Sequence, residues 1–351
     1  MPPDTSTVIS QAQAINSALD LCMEKYADVI VIGEGVPDPN GIFGTTSGLL
    51  AKYGPERVFD MPLSENGITG VCIGAALSGL RPVMIHQRIE FSLLAMDQLI
   101  NNAAKWNYIF ANQATVPLVV RMIAGQGWGQ GAQPFQGLQN LFAQIPGLKV
   151  VMPVTAYDAK GMLISAIEDK NPVIFIEHRG LHSIAGDVPD EYYFTPLDKA
   201  KVIREGRDVT IAAFSFMVVE AMCAAEVLSQ HGIEAEVIDM RSLRPLDTET
   251  VLQSLTKTGR LLVADSGHLT NSIASELIAC VVETGFECLK NSPKRIISQD
   301  YPVPEFATGN YAPVSIDIAG SVLAMFTELA IDMDSVKENL SRAAVDERNN
   351  A

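Results

Sequence analysis

The 351 residues include 41 Asp+Glu against 25 Lys+Arg, a formal net charge of −16 with histidines neutral. A chain that is 48% hydrophobic and 19% charged can bury a sizeable core, which excludes general disorder, and its length suggests two domains. Acidity without a basic run speaks against nucleic acid or an anionic membrane surface as partner; no apolar stretch approaches the roughly 20 residues of a bilayer span, and the opening MPPDTSTVIS lacks a basic-then-apolar leader, so a cytoplasmic protein is expected.

Short β-branched runs alternate with stretches of helical period. Strands are predicted at VIVIG (29–33), PVMIH (82–86), VPLVVRM (116–122), KVVMP (149–153) and PVIFIEH (172–178). Continuous apolar runs of this kind suit strands covered on both faces. Between them Ile15, Leu19, Cys22 and Tyr26 recur at helical spacing, as do Leu94, Leu99 and Ala103 in a segment leading to Phe110. The alternation lapses into Gly, Pro, Asp and Tyr and then resumes with DVTIAAF (208–214), EAEVIDM (234–240), RLLVADS (260–266) and KRIIS (294–298). The expectation is an α/β chain of two domains built on parallel sheets: 1–185, a linker at 186–206, a smaller domain at 207–333 and a polar tail at 334–351. Five widely spaced cysteines without a CxxC pair read as buried free thiols.

The segment DMPLSENGITGVCIGAALSGLRPV (60–83) leaves a strand end at Phe59, turns through Ser64, Glu65 and Asn66, and enters a Gly/Ala-rich helix. From spacing alone, Ser64 or Asn66 caps that helix, and Glu65 either favours its positive end or sits at a functional sheet mouth. The glycines allow close approach of a helix or of a second subunit. His178 and His182 bracket Arg179 after a strand, so this group reads either as an anion-binding cluster or as a surface loop. His231 and His268 have no expected role.

Four stretches together carry a resemblance: GLLAKYGPERVFDMPLSENGITGVCIGAALSGLRPV, FSLLAMDQLINNAAKW, IPGLKVVMPVTAYDAKGMLISAIEDKNPVIFIEH and IEAEVIDMRSLRPLD. Residues 30–330 resemble the beta subunit of thiamine-diphosphate-dependent 2-oxo acid dehydrogenases, within the transketolase-like group. The resemblance implies that the first domain is the transketolase-type domain holding the cofactor's aminopyrimidine ring, and that the second serves mainly assembly. It implies that Glu65 hydrogen-bonds the ring and promotes its imino form, that Phe91 stacks on the ring, and that Leu63, beside Glu65 along the same turn, belongs to the cofactor-binding residues. A carboxyl group suits Glu65's task because it can share a proton with a ring nitrogen, which an amide cannot. The loop AIEDKNP (166–172) matches a segment that can hold a structural potassium ion through Ala166, Asp169 and Asn171; a solvated turn is the other reading.

The family's diphosphate is held through Mg²⁺ by a Gly-Asp-Gly motif, which occurs nowhere in this chain. An alpha-type partner carrying that motif is therefore implied, together with beta–beta contact in an α₂β₂ assembly and a lipoyl-bearing acyltransferase as a further partner. Where the family normally has His-Ser-Gln-Ser, this chain has Pro134, Phe135, Gln136 and Gly137. The missing histidine puts acyl transfer to a lipoyl arm in doubt and leaves His86, five residues before Phe91, either to supply a proton or to orient the substrate. The expected function is cleavage of a 2-oxo acid or ketose with transfer of the fragment to an acceptor. The alternatives are a split transketolase or carboligase subunit, and a non-catalytic assembly subunit.

Overall fold

The computed structural model describes residues 6–125, 136–298, 300 and 312–326. Two compact units emerge, Met1–Leu197 with Leu243–Pro245, and Asp198–Ser242 with Leu246–Ala351. Residues 186–206, expected as linker, contain strand structure at both ends, in Ala185–Pro189 and Lys201–Arg204.

In the first unit β1 (Ser6–Ser10) leads into α1 (Gln11–Lys25), which a reciprocal cap starts: Gln13 N–H donates to Ser10 Oγ at 3.3 Å and Ser10 N–H to Gln13 Oε1 at 2.9 Å. There follow β2 (Val29–Gly33), α2 (Leu49–Tyr53), β3 (Val58–Phe59), α3 (Glu65–Leu77), β4 (Arg81–His86), α4 (Ala104–Ile109), β5 (Val119–Ala124), α5 (Gln139–Ala143), β6 (Lys149–Val151), α6 (Ala156–Glu168), β7 (Val173–His178) and β8 (Ala185–Pro189). The second unit contributes β9 (Lys201–Arg204), β10 (Val209–Ala213), α7 (Met217–Gln230), β11 (Ala235–Asp239), α8 (Thr248–Thr258), β13 (Leu261–His268), α9 (Ile273–Gly285), β14 (Lys294–Ser298) and α10 (Ser315–Leu323), while β12 (Ser242–Arg244) joins the first unit's sheet.

That sheet has seven strands in the order β12-β6-β7-β5-β4-β2-β3, parallel from β6 to β3. Its faces are covered separately. Val83 and Ile85 of β4 join a core with Ile15, Leu19 and Cys22 of α1 and Met162 and Leu163 of α6, whereas Met84 between them meets Thr69 of α3 on the other side. β5 is buried along its whole length, as its apolar run requires. The second unit's sheet runs β14-β13-β10-β11-β9, parallel except for β9, which lies antiparallel on β11. β1 and β8 form a separate antiparallel pair.

The segment of helical spacing that leads to Phe110 is built of three pieces: a 3₁₀ turn at Ile89–Ala95, a π-helical turn at Gln98–Ala103, and α4. All five cysteines are free, but only Cys22 and Cys72 are buried; Cys223, Cys280 and Cys288 are half-buried, which corrects the expectation for those three. Among the described residues no helix is long and apolar enough to cross a membrane. Pro134, Phe135 and the 334–351 tail lie outside the described residues.

Candidate functional site

Parallel sheets offer their ligand crevice at the carboxyl ends of the strands. Here those ends deliver Glu34 after β2, Asp60 after β3, His86 at the end of β4, Gly125 after β5 and His178 at the end of β7, with Glu65 opening α3. β2 and β4 draw close at this edge: a Cβ on Gly33 would lie 2.4 Å from the Ile85 carbonyl oxygen.

Glu65 is 7% exposed, and its carboxylate makes no hydrogen bond among the described residues. Its backbone is fixed, since the Thr69 hydroxyl donates to the Glu65 carbonyl at 2.7 Å. Ser64 occupies the cap position but makes no side-chain cap bond, so the capping role weighed for it is absent. Beside Glu65 stands Glu34, a residue that sequence reasoning passed over. Burial and then the charges of Glu65 and Asp60 push its carboxyl upward, and its Oε1 is sealed without a hydrogen-bond partner among the described residues. Asp60 is committed to the backbone, accepting the N–H groups of Gly35 at 3.1 Å and Met61 at 2.9 Å. Burial and the negative charges around it favour the protonated form of Glu34.

Phe91 lies in the Ile89–Ala95 turn, which packs against α3 and against β4 and β5. Its ring is 38% exposed, and Leu63, in the turn before Glu65, is 82% exposed. One exposed apolar side chain thus precedes the head of α3, and another lies on a turn packed against that helix. The residue before Phe91, Glu90, also escaped notice: its Oε1 accepts the Gln136 N–H at 2.9 Å, and burial raises its carboxyl despite that bond and the nearby Arg88.

His86 is 2% exposed, and burial lowers its imidazole to about 4. At neutral pH the ring is uncharged, so it has no cationic proton to supply; its Nε2 lacks a partner among the described residues and remains able to orient a bound group.

Ala166, Asp169 and Asn171 gather at the opposite end of the sheet, where α6 turns into β7. Lys149 pairs with Asp169 Oδ2, Oδ1 accepts the Asn171 N–H at 2.9 Å, and the Asp169 N–H donates to the Ala166 carbonyl at 3.3 Å. With both carboxylate oxygens engaged, a cation here would be held by carbonyl oxygens. No group of three or more His, Cys, Asp or Glu suited to a metal occurs among the described residues.

The two histidines around Arg179 separate in role. His182 is buried against Glu177, Nε2 to Oε2 3.1 Å, while His178 Nδ1 accepts the Gly180 N–H at 3.2 Å and its imidazole is lowered to about 4, by burial first and the nearby His182 second. His231 caps the end of α7 and His268 closes β13.

The first unit with its carboxylate-bearing crevice is the pyrimidine-binding domain of a transketolase-type enzyme: residues 8–183 match the family model "Transketolase, pyrimidine binding domain", and residues 198–313 match "Transketolase, C-terminal domain". Similarity extends to "Acetoin:2,6-dichlorophenolindophenol oxidoreductase subunit beta" of Bacillus subtilis (41% identity, 93% of this chain and 99% of that protein) and its Cupriavidus necator counterpart (42%, 88% and 94%). It extends likewise to "Pyruvate dehydrogenase E1 component subunit beta-2, mitochondrial" of Oryza sativa (45%, 83% and 79%). The fold is shared with a solved chain described as "Split gene transketolase, inactive beta4 tetramer", with a TM-score of 0.75 at 23% identity over 92% of this chain and 99% of that one. The chain belongs to the beta subunits of thiamine-diphosphate-dependent 2-oxo acid dehydrogenases.

Proposed function

We propose that this beta subunit, joined to an alpha-type subunit, cleaves the bond beside the carbonyl of a 2-oxo acid and passes the fragment to an acceptor. The observation that carries the reading is Glu65: a shielded carboxylate at the head of a helix, with no hydrogen-bond partner among the described residues, preceded in its own turn by the exposed Leu63 and followed by a helix against which the turn bearing Phe91 packs. Thiamine diphosphate supplies the nucleophilic carbon and the electron sink of the reaction. The chain's own residues hold and prepare it. Glu65 would share a proton with the cofactor's pyrimidine ring, Phe91 and Leu63 would supply apolar contact to it, and the neighbouring Glu34 would add to the negative charge around Glu65. His86, neutral and buried, orients the reacting group.

The chain has no Gly-Asp-Gly, so Mg²⁺ and the diphosphate fall to the alpha partner, in an α₂β₂ complex. A potassium ion at Ala166, Asp169 and Asn171 would brace the far end of the sheet. A second reading is cleavage of a hydroxyketone or carbon–carbon ligation, favoured by the acetoin oxidoreductase beta subunits that match nearly the whole chain. An assembly-only role is disfavoured by the intact Glu65 and Phe91.

The test is reconstitution with the alpha chain, a panel of 2-oxo acids and acetoin as substrates, and either a lipoyl domain or small aldehydes as acceptors, with products followed by mass. Turnover of a 2-oxo acid supports the first reading; turnover of acetoin alone supports the second. In either case the lone beta chain is expected to bind thiamine diphosphate weakly, and tight Mg²⁺-dependent binding to it in calorimetry would contradict the division of the site.

A further inference from the structure

We propose that Arg179 recognises the carboxylate of the substrate, so that this subunit selects an anionic 2-oxo acid over a neutral hydroxyketone; the inference rests on the reading of the site given above.

Arg179 follows directly on β7 at the carboxyl edge of the sheet. It stands beside Gly125, the residue after β5: a Cβ there would lie 3.2 Å from the Arg179 nitrogen and 3.4 Å from His178 Cε1. Its guanidinium carbon is 4.7 Å from the ring centroid of Phe43, in the turn Gly41–Gly44 after β2. In the sheet β2 and β7 are separated by β4 and β5. A contact between residues following β2 and β7 therefore spans the carboxyl ends of the two intervening strands, one of which ends in His86.

The placement of Phe43 is costly and well held. Ile42 and Phe43 both have left-handed backbones, φ 43° and 57°, which for such side chains persist only when the surroundings enforce them. The enforcement is visible: Arg121 Nη2 donates to Thr45 Oγ1 at 2.9 Å, and the Thr46 hydroxyl donates to the Val36 carbonyl at 3.0 Å.

The guanidinium itself lacks an anion. Arg121, Arg81 and Arg204 pair with Glu177, Asp28 and Glu234, whereas half-buried Arg179 has no carboxylate within ion-pair distance among the described residues, and its Nε is sealed without a hydrogen-bond partner. Nor does the segment 126–135, which departs from Gly125, contain an Asp or Glu. In a chain with 41 acids against 25 bases, an arginine left without one at a ligand-binding edge points to an anion supplied from outside. Stacking on Phe43 engages the face of the guanidinium and leaves its in-plane N–H groups to grip a carboxylate at two points. The flanking histidines do not share the task, because His178 is neutral and His182 is bound to Glu177.

The test uses the reconstituted alpha–beta complex with Arg179→Met and Arg179→Lys. Oxamate, an unreactive mimic of pyruvate, reports anion binding by calorimetry even where turnover is absent. Arg179→Met should weaken oxamate on the order of 10- to 100-fold, the loss of one charge-assisted bidentate contact, and Arg179→Lys should restore part of it. In kinetics the same factor should appear in KM for pyruvate with little change in kcat, and the ratio of pyruvate to acetoin kcat/KM should fall. Equal oxamate affinity in wild type and Arg179→Met, or no oxamate binding to wild type, would overturn the proposal, and so would an Arg179→Met defect confined to assembly with the alpha chain. Failure to turn over any 2-oxo acid while oxamate binding depends on Arg179 would instead overturn the functional reading alone.

Discussion

Replacing Glu177 by Gln removes one charge from the most deeply buried ion pair of the first unit. Arg121 and Glu177 are 0% and 1% exposed at their side chains and make two parallel bonds, Nε to Oε1 at 2.6 Å and Nη2 to Oε2 at 2.9 Å. Burial alone would raise the Glu177 carboxyl, but the Arg121 charge and the bonds from His182 and Arg121 outweigh it and hold the group at about 2. Between an ordinary carboxyl and about 2 lies roughly 3 kcal/mol, at about 1.4 kcal/mol per pH unit. Leaving a buried charge unpaired costs about 3–5 kcal/mol by an independent route, so the two magnitudes agree. For a domain of this size each kcal/mol moves Tm by about 2–4 °C, so Glu177→Gln should unfold on the order of 6–20 °C below wild type at pH 7. Because a lowered carboxyl stabilises the fold above its unfolded value and loses that contribution as pH falls toward 2, the gap should narrow on acidification below about pH 4.5. Thermal unfolding followed by circular dichroism at pH 7 and pH 3.5 measures both. A Tm within about 2 °C of wild type at pH 7 would refute the reasoning. The double replacement Arg121→Met with Glu177→Leu should recover stability relative to Glu177→Gln, since it leaves no unpaired charge.

His86 is held near 4 by burial, so the unfolded chain binds a proton between about pH 6.5 and 4 that the folded chain refuses. Stability is therefore full above pH 6.5 and declines as pH falls through that window, and His86→Phe should flatten the decline; urea midpoints at pH 7 and pH 5 that fall equally in both proteins would contradict this. Gly147 has φ 98°, and a Cβ there would sit 1.8 Å from the Ala104 carbonyl oxygen. Gly147→Ala should thus cost more than about 3 kcal/mol, and an unchanged urea midpoint would show that the loop before β6 yields freely.

The sequence reveals those features whose signal is local. Apolar runs between turn residues mark β2, β4, β5, β7, β10, β11, β13 and β14, because a strand covered on both faces writes its burial into consecutive positions. The three-residue β12 and the edge strand β9 have too few residues to show a period, and β12 finds its sheet only through long-range pairing. The stretch before Phe110 shows helical spacing through both π and α turns, since pairs such as Asn101 Nδ2 to Asp97 Oδ1 at 2.7 Å recur four residues apart whichever backbone bonds close the turn. Glu65 was legible as a helix opening, and the family resemblance gave it a role. Glu34 and Glu90 were not, because nothing in the sequence distinguishes a sealed carboxylate from a solvated one. Arg121 and Glu177 lie 56 residues apart and meet only because β5 and β7 are neighbours. Arg179 illustrates the converse: its motif was visible, but the structure was needed to show that its flanking histidines are engaged elsewhere.

The central claim is that Glu65 prepares the cofactor held between this subunit and its alpha partner. The direct measurement is hydrogen–deuterium exchange at the cofactor's reactive carbon in the reconstituted complex, comparing wild type with Glu65→Gln after gel filtration has confirmed equal assembly. The amide retains size and one hydrogen bond but cannot share the proton, so exchange should slow on the order of 100- to 10,000-fold. Exchange at a rate near that of wild type in a fully assembled Glu65→Gln complex would contradict the account.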